Sequence, residues 1–85
     1  QQLQLPTGFR SVAIVPPAAL PPMQVGDHVD IIANGVVLAA DALVLSLMEN
    51  TTGVITGVIV AVPAELSAAV ASATAIGDAT LVVSS

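Results

Sequence analysis

Short apolar, largely β-branched runs bounded by turn and proline signals mark strands along most of this chain, and only one stretch changes to a helical period. Residues 10–15 form a β-branched run that Pro16 and Pro17 terminate, because proline has no N–H for a sheet ladder. Four prolines and no glycine between positions 16 and 24 predict a stiff, extended connection. Gly26-Asp27 is a turn signal, and residues 29–33 follow as a strand. Asn34-Gly35 is the strongest hairpin dipeptide of the chain, since both positions tolerate the positive φ of a type I′ turn. The return segment, 36–48, is 13 residues long and exceeds a usual strand, so a bulge or break is expected at Ala39, Ala40 and Asp41.

A polar loop at 49–53 leads to a strand over 54–62, with Gly57 as its weak point. Then the period lengthens. Pro63 suits the first position of a helix, where its missing N–H costs nothing, and Glu65 suits the first turn, where the helix dipole favours negative charge. Leu66, Ala69, Val70 and Ala73 recur on one helical face, and Gly77 suits the left-handed position that ends a helix near residue 76. Residues 80–83 form a last strand. The pattern predicts an α+β domain, mainly β: a small five-stranded sheet or barrel-like domain with one short helix packed on it. The strands at 10–15 and 80–83 are the expected sheet edges.

Length keeps all of this within one domain spanning 1–85, since single domains typically take about 50–200 residues. Composition adds a second constraint. Hydrophobic residues make up 55% of the chain and charged residues only 8%, which excludes a disordered tail and leaves more apolar side chains than a small core absorbs. Exposed apolar surface or self-association is therefore expected. Net charge is −5, with Arg10 the sole cation against six carboxylates, so phosphate-gripping functions such as nucleic-acid binding are set aside. The absence of cysteine removes disulfides, thiol catalysis and thiolate metal sites. The longest apolar stretch is split by Asp41 and falls short of the roughly 20 residues a membrane-spanning helix needs.

Candidate chemistry is sparse. His28 and Asp30 lie two apart on a strand and share a face, but a catalytic zinc needs about three protein ligands and this chain has one histidine. The reading favoured is a solvated His28 and a structural Asp30. Asp27 is placed to accept a backbone N–H in its own turn, and Asp41 to pair with Arg10 or to sit at the strand break. Arg10 is expected to pair with a carboxylate, Asp30 first. No serine stands in a nucleophile elbow, and no glycine-rich loop cradles phosphate. Asn50-Thr51-Thr52 matches a glycosylation sequon but reads physically as a turn. No enzyme, cofactor or metal centre is predicted.

The ordered segments Leu5-Pro6-Thr7-Gly8-Phe9-Arg10, Val25-Gly26-Asp27-His28-Val29-Asp30, 37–45, 60–65 and Leu81-Val82-Val83 together resemble the C-terminal extracytoplasmic domain of Flp pilus assembly proteins of the RcpC/CpaB family. Leu5-Pro6-Thr7-Gly8-Phe9-Arg10-Ser11-Val12-Ala13-Ile14 is similar to that family's LP-x-G-x-R-A-V-x-I opening. Val25-Gly26-Asp27-His28-Val29-Asp30-Ile31-Ile32 resembles its P-G-D-x-V-D-V segment, with Val25 where proline is usual. Residues 37–45 resemble V-L-A-x-D-V-x-V-L, residues 60–65 resemble L-A-V-T-P-E-x-A, and Leu81-Val82-Val83 stands where the family closes with L-x-L-V-L-R. The customary final arginine is Ser84 here, and the usual Thr or Ser helix cap is Val62.

This resemblance covers about residues 5–83 and marks Gly8, Arg10, Gly26, Asp27, Asp30, Asp41 and Pro63 as structural motif positions. It implies a domain that follows a SAF domain and a membrane anchor, neither of them in this chain. It further implies an extracytoplasmic, membrane-tethered location in the periplasm or cell envelope. The role implied is non-enzymatic scaffolding with other pilus-assembly or envelope proteins, further copies of the same chain among the candidate partners. The alternative from another class is a carbohydrate-binding module, for which a chain with no Trp or Tyr and one Phe is poorly equipped.

Overall fold

The structure is a computed structural model that describes residues 5–15 and 22–83. The prolines at 16, 17 and 21, and Ser84, lie outside the described residues. Five strands are present: β1 (Phe9–Ile14), β2 (His28–Ala33), β3 (Val36–Glu49), β4 (Ile55–Pro63) and β5 (Ala79–Val83). They form one antiparallel sheet in the order β1-β4-β3-β2-β5, so both expected edge strands are the edges. Between β4 and β5 the chain makes a 3₁₀ turn (Ala64–Leu66) and one helix, α1 (Ser67–Ala75). This is the expected mainly-β α+β fold.

Alternation places Val58, Val60 and Val62 of β4 on one face, with Ile14 of β1, Val29 and Ile31 of β2, and Leu81 of β5. Val70 and Ala73 of α1 close over that face and complete the core. Each fully buried valine or isoleucine contributes about 1.5–3 kcal/mol. α1 touches β1, β3 and β5, and so ties the two edges together through one packed layer. The helix differs from expectation in two ways. Ala69 is exposed, because within α1 it lies about 100° round from Val70, at the flank of the strip that Val70 and Ala73 bury, while Leu66 is half-buried. Pro63 is not the first helical residue: it ends β4 opposite Phe9 and stands as the cap residue, with extended backbone at ψ 143°.

The connections follow their residue chemistry. Asn34 (φ 53°) and Gly35 (φ 75°) form the two-residue turn between β2 and β3, the geometry of type I′. The end of α1 is sealed by Gly77 (φ 74°), whose N–H donates to Thr74 O at 3.1 Å while Asp78 N–H donates to Ala73 O at 2.9 Å. These are the paired bonds of a Schellman motif, and only a left-handed residue at position 77 allows them.

Strand β3 runs unbroken, with a bulge rather than a break at the expected residues 39–41 and further irregularities beyond it. Between Val29↔Ala42 and Ile31↔Ala39, one β2 residue (Asp30) faces two on β3 (Ala40 and Asp41). That is a bulge, and Asp41 at φ 56° is its left-handed residue. A second shift sits between Ile31↔Ala39 and Ile32↔Val37, and a third between Val44↔Val60 and Ser46↔Ile59. The third inserts Leu45 and explains why consecutive residues Val44 and Leu45 are both buried.

Candidate functional site

The motif positions gather in two places. The first is the junction of β1 with the end of β4. Gly8 (φ 84°) turns the chain so that Phe9 N–H donates to Pro6 O at 3.2 Å, and Gly8 O accepts from Ala64 N–H at 3.2 Å. Pro63 therefore leaves the sheet where Gly8 enters it. Arg10 stands beside them, exposed, opposite Val62.

The second place is the start of β2 against the β3 bulge. Gln24 N–H donates to Asp27 Oδ2 at 2.8 Å, while Asp27 N–H returns a bond to Gln24 O at 3.0 Å. This reciprocal pair closes the turn that contains Gly26 (φ 98°), and Gly26 N–H donates to Val44 O at 2.9 Å. Asp30 Oδ1 accepts the backbone N–H of Asp41 at 3.0 Å. Asp30 thus holds the very residue that bulges opposite it.

The expected Arg10–Asp30 pair is not formed. Arg10 lies on edge strand β1 on the core side of the sheet, opposite Val62, and Asp30 lies on β2 next to the core residue Val29, so it points to the other side. Two strands, β4 and β3, stand between them. Asp30 is occupied instead by the Asp41 N–H. His28 is exposed and shares a face with Asp30; His28 and Asp41 are each engaged in contacts of their own. Among the described residues no three His, Cys, Asp or Glu side chains come together in a way that could hold a metal ion.

Asn50 is a hub that residue type alone hints at. Its Oδ1 accepts from Thr52 N–H (2.9 Å), Thr52 Oγ1 (2.7 Å) and Val54 N–H (3.0 Å), so Asn50-Thr51-Thr52 is a side-chain-organised turn. Gly57, read as a weak point, has a positive task. A side chain there would collide with the end of Met48 and come within 2.9 Å of Ile14 O, so β1 and β3 reach over it only because it is bare. An open depression of about 360 Å³ is lined, among the described residues, by Gln24, Val25, Leu47 and Glu49. Glu49 is the one ionisable group among these four.

Comparison with family models, with curated proteins and with solved structures finds no match. What the geometry offers is a surface. The sheet face opposite α1 carries Ile32, Leu43 and Ile59 half-buried, with Phe9 and Val82 exposed near its two edges. Leu45 and Ala61 are buried yet stand outside the main core. Among the described residues no helix covers this face, since the one helix packs on the other side.

Proposed function

We propose that this domain is a non-enzymatic interaction module of a Flp-type pilus assembly machine, scaffolding in the cell envelope outside the cytoplasm and tethered by a membrane anchor beyond this chain. The observation that carries the interaction role is the sheet face opposite α1: a row of apolar residues with His28, Asp30, Thr80 and Ser11 as its polar relief. Apolar surface that no helix covers among the described residues favours a protein partner over a small polar ligand. The pilus assignment rests on the ordered resemblance to RcpC/CpaB-type domains. Its support is that the quoted positions fall at working points of the fold: Gly8 and Pro63 at the β1–β4 junction, Gly26 and Asp27 in one turn, Asp30 and Asp41 in one bulge.

A carbohydrate site lacks its usual platform. Phe9 is the only aromatic residue, and Arg10, its neighbour on β1, points to the opposite face. The deciding experiment is genetic. In a host that builds Flp-type pili with this domain, deleting it removes surface pili, and restoring it returns them; normal piliation without it sinks the assignment. Titration with peptidoglycan fragments, followed by NMR, leaves the spectrum unchanged on this reading, whereas clustered shifts would favour the sugar-binding alternative.

A further inference from the structure

The two edges of the sheet are not equally protected. Strand β1 is flanked by Pro16 and Pro17 in sequence, carries Arg10, and takes most of the contact with α1. Strand β5 has neither the charge nor the prolines and takes less of the contact with α1. Its five residues, Ala79, Thr80, Leu81, Val82 and Val83, include no charge and no proline, and its ladder with β2 runs without a register shift. Natural edge strands are blunted by lysine, proline, bulges or inward charges, and β5 shows no such device. On one side it pairs with β2; among the described residues, no strand pairs on the other.

We infer that β5 is a homodimerisation edge, at which a second copy of this chain pairs its own β5 antiparallel and continues the sheet across a two-fold axis at Leu81. Exposed main-chain donors and acceptors in a row call for another strand, and an antiparallel pairing of identical strands is self-complementary by construction. Charge selects the register. With the axis at Leu81, Thr80 faces Val82 of the second copy and Ala79 faces Val83. Asp78, just outside the strand, then lies beyond the end of the second copy's β5 and far from the other Asp78. Sliding the axis toward Ala79 moves the two Asp78 carboxylates together and shortens the overlap on a chain of net charge −5.

Side chains agree with that register. Val82 is 49% exposed on the face opposite α1, and there it gains a β-branched neighbour, Thr80 of the second copy. Leu81 meets its own copy on the core side, where it already stands among buried residues. This inference is independent of the pilus assignment, since it uses only the edge, its charges and its exposure.

Sedimentation of the 85-residue chain across concentration and salt tests it. The expected result is a monomer–dimer equilibrium that tightens as salt screens the repulsion between two acidic chains. Val82→Lys should weaken the dimer by about tenfold or more, and adding Thr80→Asp to it, which sets opposite charges across the axis, should recover most of that loss. A second measurement leaves packing almost untouched and uses the absence of native cysteine. Thr80→Cys chains mixed with Val82→Cys chains should oxidise to the mixed dimer in preference to either like pair. A monomer at every concentration, open-ended oligomers, a dimer indifferent to Val82→Lys, or like-pair crosslinks matching the mixed one would overturn the inference.

Discussion

Between β1 and β4 the sheet is held by apolar packing, whereas between β2 and β3 it is shaped by polar groups acting on the backbone. On the first side Ile14, Val58, Val60 and Val62 are buried under Val70, and the ladder runs from Phe9↔Pro63 to Ile14↔Val58 without a shift. On the second side the ladder slips twice, and Asp27, Asp30 and Asn34 stand at its turn, bulge and hairpin. Cohesion and shape are thus assigned to different residue classes. Loss of a packed side chain should cost much more than loss of a shaping one, but loss of a shaping one should alter where neighbouring strands sit.

Substitutions separate the two. Ile14→Ala, on the packed side, should lower the unfolding free energy by about 2–5 kcal/mol in urea denaturation. A loss below about 1 kcal/mol would mean that cohesion does not reside there. Gly57→Val should cost about 1–3 kcal/mol through overpacking against Met48 and the Ile14 carbonyl, and a neutral outcome would show that β1 can simply move aside. At the bulge, Asp41→Val forces a β-branched residue into the left-handed region and should cost about 1–2 kcal/mol, while Asp41→Gly, which keeps that backbone, should cost less. Asp30→Ala leaves the Asp41 N–H to solvent and should cost only about 0.5–1.5 kcal/mol. Its amide shifts should nevertheless spread along Ala39 to Ala42; shifts confined to residue 30 would deny it a shaping role. The smallest effect runs the other way. Thr74 Oγ1 is buried without a hydrogen-bond partner among the described residues, so Thr74→Val should be neutral or stabilising by up to about 1 kcal/mol.

The shaping residues were the more legible in sequence. Asn34-Gly35, Gly77 and the Asp41 interruption each demand a backbone conformation that few residue types supply, so residue identity alone marks the spot. Pairing in three dimensions was not legible. Arg10 and Asp30 both sit in strands, and nothing local reveals that two further strands and the thickness of the sheet separate them. Ala69 fits a helical face by spacing, but it stands at the flank of the strip that Val70 and Ala73 bury, and spacing alone does not tell how wide that strip is. Gly57 looked like a defect because its purpose lies in neighbours from other strands, Met48 and Ile14. The bulge at Leu45 is hidden for a related reason: an all-apolar run alternates nothing, so a slip in register leaves the pattern unchanged.

The strand order also sets a timetable. β2 and β3 are joined by a two-residue turn, and an isolated hairpin of this kind closes in about 1–10 μs. β3 and β4 follow through the short Asn50 loop, so three neighbouring strands can assemble from contacts close in sequence. β1 has no such local partner. Its ladder is with β4, most of the chain away, and its docking must wait until β4 is in place and the long loop between them has closed. β5 pairs with β2 across a similar span, so the two edge strands join the sheet last, β1 among them. Until β1 does, β4 is itself an uncovered edge with Val58, Val60 and Val62 exposed beside it, the moment at which this acidic but very apolar chain is most open to misassociation.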